Sequence, residues 1–381
     1  MLKKVLKSYD YSLVVLPILL SIFGVIMVYS SSMVWAVMIN EGSTDLYYKR
    51  QLIWFWISLV AFFFAAAVPY TIYKRFVKLI FFASPILLII VLLFGVERNN
   101  AKSWLEIGGF GFQPAEFIKV GLIIYLSAVF ARKQSYIDRF WPAFGPPLLF
   151  TGIVFLLIFI QPDLGTGSII LLIAYVMVCS SGIRLKHWLR LTGAGIIAVL
   201  LMIPFLSPEQ ISRFTSAYDP FSSPLKHGYQ VINGYIAIAN GGVTGKGLGE
   251  SVQKFGYLPE PHTDFIMAII SEELGIFGVS FVLLSLFFII IRGLHIARKN
   301  DDPFASLLAI GISSMIGIQS GINLGALLGI LPVTGVTLPF VSYGGSSLFI
   351  LMFSVGILVN ISMFTNLKVN NKQQKDFQLS T

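Results

Sequence analysis

The chain has 381 residues, of which 56% are hydrophobic and 12% charged. A soluble domain carries roughly 25% charged residues, so this composition excludes an ordinary soluble protein and points to the membrane class. The net charge of +9 sits in short loops between apolar runs, as the positive-inside rule places it, which excludes a nucleic-acid partner.

The start of the chain, with Lys3, Lys4 and Lys7 before an apolar run from Leu13 to Val28, imitates a secretory signal. The run is long and lacks a small-x-small cleavage pattern, so it reads as an uncleaved first helix. A bilayer core needs about 20 apolar residues as helix. Runs of that kind lie at 11–30, 51–70, 79–96, 114–131, 141–160, 164–181, 189–206, 265–292, 304–331 and 346–364. The sequence therefore predicts an all-α, polytopic bundle of about ten transmembrane helices. Residues 1–365 form one transmembrane domain, and 366–381 a cytoplasmic polar tail expected to lack structure.

Ten spans put both termini on one side. Eighteen of the 27 Lys and Arg residues fall in segments on that side and eight on the other, with Lys119 alone inside a span. This asymmetry places both termini in the cytoplasm and the chain in the cytoplasmic membrane. The long Gly-rich segment 207–263, between helices seven and eight, is then extracytoplasmic. A loop of this length needs structure of its own, here short helices at the membrane surface. The next span, 264–292, measures roughly 43 Å as helix, so it must tilt, kink near Gly275 or Gly278, or project outward. The ninth span spaces Gly317, Gly321, Gly325 and Gly329 four apart, a stripe on which a neighbouring helix could pack closely. Gln319 and Asn323 share another face and read first as interhelical hydrogen-bonding residues, ahead of substrate contact.

Ionisable groups at membrane depth default to functional candidates. In Gln113-Pro114-Ala115-Glu116-Phe117-Ile118-Lys119, Pro114 suits a first helical turn, and Glu116 and Lys119 share a face. They form either a self-neutralising pair or a charged cavity wall, and the wall is favoured. In Gln161-Pro162-Asp163-Leu164-Gly165-Thr166, Asp163 reads first as the cap of the sixth helix. In Leu258-Pro259-Glu260-Pro261-His262-Thr263-Asp264, the prolines stiffen the approach to a helix start. Thr263 or Asp264 could be a plain N-cap. The crowding of Glu260, His262 and Asp264 where a long loop meets the membrane favours a carboxylate whose pKa burial raises toward that of a useful base. The segment 331–347 is uncharged backbone broken by Pro and Gly, tolerated at membrane depth only where it is buried in protein or lines a wet cavity. Gly245-Lys246-Gly247-Leu248-Gly249 is not a phosphate loop, because no Ser or Thr follows the lysine and the spacing is wrong. His187, His227, His262 and His295 are scattered, without metal-ligand spacing, and the sole cysteine, Cys179, excludes an intramolecular disulfide.

Pro339-x-x-Ser342-x-Gly344-Gly345, Gln113-Pro114-x-Glu116-x-x-Lys119, Gln161-Pro162-Asp163-Leu164-Gly165-Thr166 and His262-Thr263-Asp264-Phe265 together resemble the signatures of the SEDS family (shape, elongation, division and sporulation). They occur in family order, and the resemblance spans residues 10–365. Gly228-Tyr229-Gln230-x-x-Asn233-Gly234-Tyr235 and the stretch 254–264 are most similar to the division member of Gram-positive bacteria, with the elongation and sporulation members as alternatives. The resemblance implies a peptidoglycan glycosyltransferase that polymerises lipid II at the outer face of the membrane. It implies a class B penicillin-binding protein and other division membrane proteins as partners.

The resemblance also implies a catalytic role for Asp264, as base or metal ligand, and a substrate role for Glu116 and Lys119. Where the family often shows Ala-x-Arg-Trp, this chain has Ala101-Lys102-Ser103-Trp104, which leaves Lys102 as the substitute cation. Lys119, Lys102 and Arg213 are the expected pyrophosphate contacts. Glu260, His262, Gln161, Asp163 and Ser342 complete the expected substrate site. A divalent cation, Mg or Mn, is a candidate cofactor that no residue pattern specifies. A lipid II flippase would use the same buried charges without needing the acidic motif, and a pure scaffold would leave Glu116, Lys119 and Asp264 unused.

Overall fold

Helices form where apolar runs are free of breakers, and the computed structural model places one over each of the ten expected spans. It describes residues 7–40, 43–98, 101–107, 110–226 and 228–380; Lys3, Lys4 and His227 lie outside the described residues. The elements are α1 (Tyr11–Asn40), α2 (Leu46–Ala67), α3 (Val77–Phe94), β1 (Val96–Arg98), β2 (Ala101–Ile107), β3 (Phe110–Phe112), α4 (Pro114–Lys133), α5 (Phe140–Ile160), α6 (Leu164–Ser180), α7 (Leu185–Met202), α8 (Pro208–Tyr218), α9 (Tyr229–Gly241), α10 (Ile266–Lys299), α11 (Pro303–Leu327) and α12 (Gly345–Ser380). Among the described residues nine helices are long and apolar enough to cross a membrane, and α6 is a shorter apolar helix.

Helix starts follow local chemistry. Proline opens α4, α8 and α11, where its missing N–H costs nothing, and the Asp163 and Asp302 carboxylates cap α6 and α11. Proline inside a helix frees the carbonyl four residues before it: Pro146 and Pro147 of α5 free those of Pro142 and Ala143, and Lys133 Nζ donates to both, at 2.5 and 3.1 Å. The centre of the bundle is α4 and α12, with 78% and 83% of their apolar stretches buried. Helix α7 lies at the periphery with none of its stretch buried. It touches α6 through Tyr175 with Thr192 and Trp188 with Cys179.

The structure departs from the sequence reading in three places. The loop after α3 carries a small antiparallel sheet in the order β1-β2-β3, with Val96 opposite Trp104 and Leu105 opposite Phe112. Helix α12 continues to Ser380, so the tail expected to lack structure prolongs a helix; after Gly356 it meets neither Gly nor Pro to stop it. The glycine stripe does not form a continuous close-packed seam: a Cβ on Gly317 would meet only the Ile290 side chain of α10, at 3.6 Å. Gly329 lies beyond the end of α11 with φ 68, and a Cβ on Gly321 would meet open space. Beside that stripe α10 and α11 enclose an apolar groove of about 430 Å³ lined by Leu283, Phe287, Ile290, Ser320 and Leu324. The over-long span meets its expectation: α10 is broken at Gly275, at φ 58 and ψ −150, one of the two glycines at which a kink is expected.

Candidate functional site

The four motifs meet at the end of the bundle that carries the long loop. The segment after α11 is the hub. From α2, Gln51 grips it twice, donating to the Ser342 carbonyl and accepting from the Gly344 N–H, both at 3.3 Å. Ser342 accepts from the Leu338 N–H at 2.8 Å and donates to the Thr263 carbonyl at 2.5 Å, while the Tyr343 N–H donates to the His262 carbonyl at 2.8 Å. From α11, Asn323 donates to the carbonyls of Asp264 at 2.8 Å and Val336 at 2.7 Å. Gln319 accepts from Lys119 at 3.0 Å and donates to the Thr337 carbonyl at 3.1 Å. The first motif joins the second through Gln113 and the Asp163 carboxylate at 3.0 Å, and joins the start of α12 through the Gln113 N–H and Ser346 at 3.2 Å. The N-terminal ends of α4, α6, α10 and α12 are thereby drawn together. Each carries about half a positive charge, and their convergence favours an anion.

Asp264 is 9% exposed. Its carboxylate does not cap α10: the cap position is Phe265, and no side-chain cap bond forms there. The Thr263 hydroxyl lies 2.9 Å from Asp264 Oδ1 and 3.2 Å from Glu260 Oε2, holding both carboxylates in one place. Burial, and then the Glu260 charge, push the Asp264 carboxyl up to about 7, against the Thr263 hydrogen bond and the charge of Arg213. The charge of Arg213, on α8, is felt at the acidic motif. Glu260 at φ 46 and Phe340 at φ 66 occupy left-handed backbone that non-glycine residues adopt only when the surroundings impose it.

Glu116 and Lys119 form an ion pair at 2.8 Å, with Lys119 only 1% exposed. The second Glu116 oxygen, Oε2, is buried without a partner. Asp163 caps α6, accepting from the Thr166 N–H at 3.0 Å, and burial pushes its carboxyl up despite those bonds. Gln161 ties the α5–α6 corner to the Leu88 carbonyl at 3.1 Å. The His262 ring packs between Tyr47 at 4.4 Å and Tyr343 at 5.5 Å, and burial lowers its pKa to about 3, so it stays neutral. Lys102 stands apart from this cluster, on β2, where it donates to the Leu93 carbonyl at 3.2 Å. Among the described residues no three metal-ligating side chains stand together. Glu260 and Asp264 supply two carboxylates but no dedicated cage.

The sequence reading assigned nothing to Gln51, although a lone amide near the start of an apolar helix marked it. Gln319 and Asn323 do make hydrogen bonds between elements, and their partners include backbone of the site.

This is a polytopic helical membrane protein whose buried acidic site stands where a long loop enters a helix. The chain belongs to the FtsW/RodA/SpoVE family, whose description, cell cycle protein, matches residues 11–367. It is 51% identical to the probable peptidoglycan glycosyltransferase FtsW of Bacillus subtilis, over 98% of this chain and 96% of that protein. It is 42% identical to stage V sporulation protein E of the same organism, over 94% and 98%. Its fold matches the rod shape determining protein RodA of Thermus thermophilus with TM-score 0.68 at 26% identity, over 93% and 96%. It also matches a chain described under structural coordination of polymerization and crosslinking by a peptidoglycan synthase complex, with TM-score 0.76 at 28% identity, over 94% and 98%.

Proposed function

We propose that this chain is the division-type peptidoglycan glycosyltransferase of its cell, polymerising lipid II for the septal wall. The observation that carries the mechanism is the buried Asp264 carboxyl, held beside Glu260 where four helix N-termini converge. Asp264 takes the proton from the attacking 4-hydroxyl of one sugar. The bond from the anomeric carbon of the other sugar to the pyrophosphate breaks with inversion, and the helix ends and Arg213 receive the departing charge. The identity to the Bacillus FtsW supports the division role over that of the sporulation relative. The match to a synthase complex supports a class B penicillin-binding protein as partner, alongside other division membrane proteins. The purified chain, with and without that transpeptidase, should convert lipid II to glycan polymer. Lipid transfer across vesicles without polymer from the folded pair would replace this reading with a flippase.

The basic-residue asymmetry supports termini in the cytoplasm and the acidic site on the outer face. A reporter fused after Lys372 should then be active as a cytoplasmic protein and one inserted near Ser222 as an exported one. A cytoplasmic signal at Ser222 would reverse the orientation and remove the access of Asp264 to the outer leaflet.

A further inference from the structure

The helix that begins beside Asp264 is broken near Gly275, and the break is occupied. A Cβ on Gly275 would come within 2.4 Å of the Val243 carbonyl oxygen, so the loop after α9 lies directly against the helix backbone. Backbone groups exposed by the break are taken up by that loop. The Lys246 N–H donates to the Glu272 carbonyl and the Gly247 N–H to the Glu273 carbonyl, both at 2.9 Å, and the Ile276 N–H donates to the Val243 carbonyl at 3.1 Å. The glycine-rich run that fails as a phosphate loop is therefore the part of the chain that fits into a helix break.

Side chains complete the joint. Glu272, fully buried, accepts from Lys246 Nζ at 2.9 Å, from Ser251 Oγ at 2.5 Å, and from the N–H groups of Val252 at 3.3 Å and Gln253 at 3.2 Å. Glu273, also fully buried, pairs with Lys254 at 3.0 Å and accepts from Ser30 of α1 at 2.7 Å. One fully buried ion pair, Lys254–Glu273, and a second with only its carboxylate buried, Lys246–Glu272, are an expensive way to hold a loop, since apolar residues of the same volume would hold it without desolvating charges. What ion pairs and directed hydrogen bonds add is a defined geometry.

We propose that Glu272 and Glu273 act as a latch that holds the segment 242–264 in the break of α10 and so positions Asp264. The segment leaves α9, is pinned at the break, and returns to the same helix at the acidic motif, so both of its attachments are on α10. Between them the Leu258 N–H donates to the Gln253 carbonyl at 2.9 Å, which carries the pinned register toward Glu260. Both glutamates are positioning residues, and the inference rests on the transferase reading above.

The test compares wild type, Asp264→Asn, Glu272→Ala, Glu272→Gln and the double variant Glu273→Gln/Lys254→Met in detergent. It reads polymerisation per folded molecule as kcat and KM, with hydrogen exchange across 245–264. Glu272→Ala should lower kcat about 100-fold, the penalty of a displacement of ~1 Å, with KM little changed and exchange rising as far as residue 264. Glu272→Gln keeps an acceptor for Ser251 and should recover most of the rate. If Glu272→Ala does not fold, the double variant, which removes both charges of a pair together, carries the same expectation. An unchanged kcat per folded molecule, or faster exchange confined to 245–253, overturns the latch. Wild type without polymer overturns the transferase reading itself, whereas active wild type and inactive Asp264→Asn beside a fully active Glu272→Ala overturn the latch alone.

Discussion

Asp264→Asn is expected to leave a folded chain that no longer makes polymer. The amide keeps an oxygen for the Thr263 hydroxyl, and no helix cap is lost because the carboxylate makes none. Removing a charge that is buried beside Glu260 should leave the melting temperature the same or slightly higher at pH 8. An amide cannot take the hydroxyl proton, so the rate should fall by about 10²–10⁴-fold, the usual contribution of a general base. Substantial polymer from Asp264→Asn would move the assignment to Glu260 or Asp163. In wild type the rate should rise about tenfold per pH unit up to about 7 and level off above it, because the base works only when ionised. Stability runs the other way. The folded pKa is raised above the ordinary 3.8, so the contribution of this carboxyl is fully present below that value and is lost as pH rises through about 7. The active form is the less stable one, and a rate profile flat from pH 5 to 8 would remove Asp264 as the titrating base.

Lys119→Ala should damage the fold severely. It leaves the Glu116 carboxylate, with one oxygen already unpartnered, buried without its cation, at a cost of about 3–5 kcal/mol. Glu116→Gln/Lys119→Met removes both charges and should restore most of the melting temperature. Polymerisation should not return with it. Lys119 fixes the amide of Gln319, whose other end holds the Thr337 carbonyl in the hub segment, and a methionine cannot donate. A double variant with both normal melting and normal polymerisation would make the pair a structural element only.

Several features were legible without coordinates because they are one-dimensional. Apolar run length specifies a span, since backbone in lipid must satisfy itself as helix. The excess length of 264–292 made a kink one of three outcomes and pointed to its glycines, and the break falls at Gly275 because φ 58 with ψ −150 is a combination essentially only glycine adopts. The motif residues announced themselves by cost: charge, Pro and Gly at membrane depth are kept only where something requires them.

Tertiary structure decided what depends on partners distant in the chain. Asp264 is separated from a capping role only by where its carboxylate points, and Asp163 is a cap for the same kind of reason. Lys119 finds Gln319 across 200 residues, and Gln51 finds Ser342 across 291. The glycine stripe of α11 looked like a helix-packing face, yet a period of four says only which residues share a side, and a Cβ on Gly321 would meet no neighbour. The Glu272–Glu273 joint was equally invisible, because the two carboxylates look like any helical pair until the loop enters the break. Spans and irregular segments follow from the cost of exposing backbone to lipid, which each stretch meets by itself; the pairing of buried polar groups is set by which segments the bundle brings face to face.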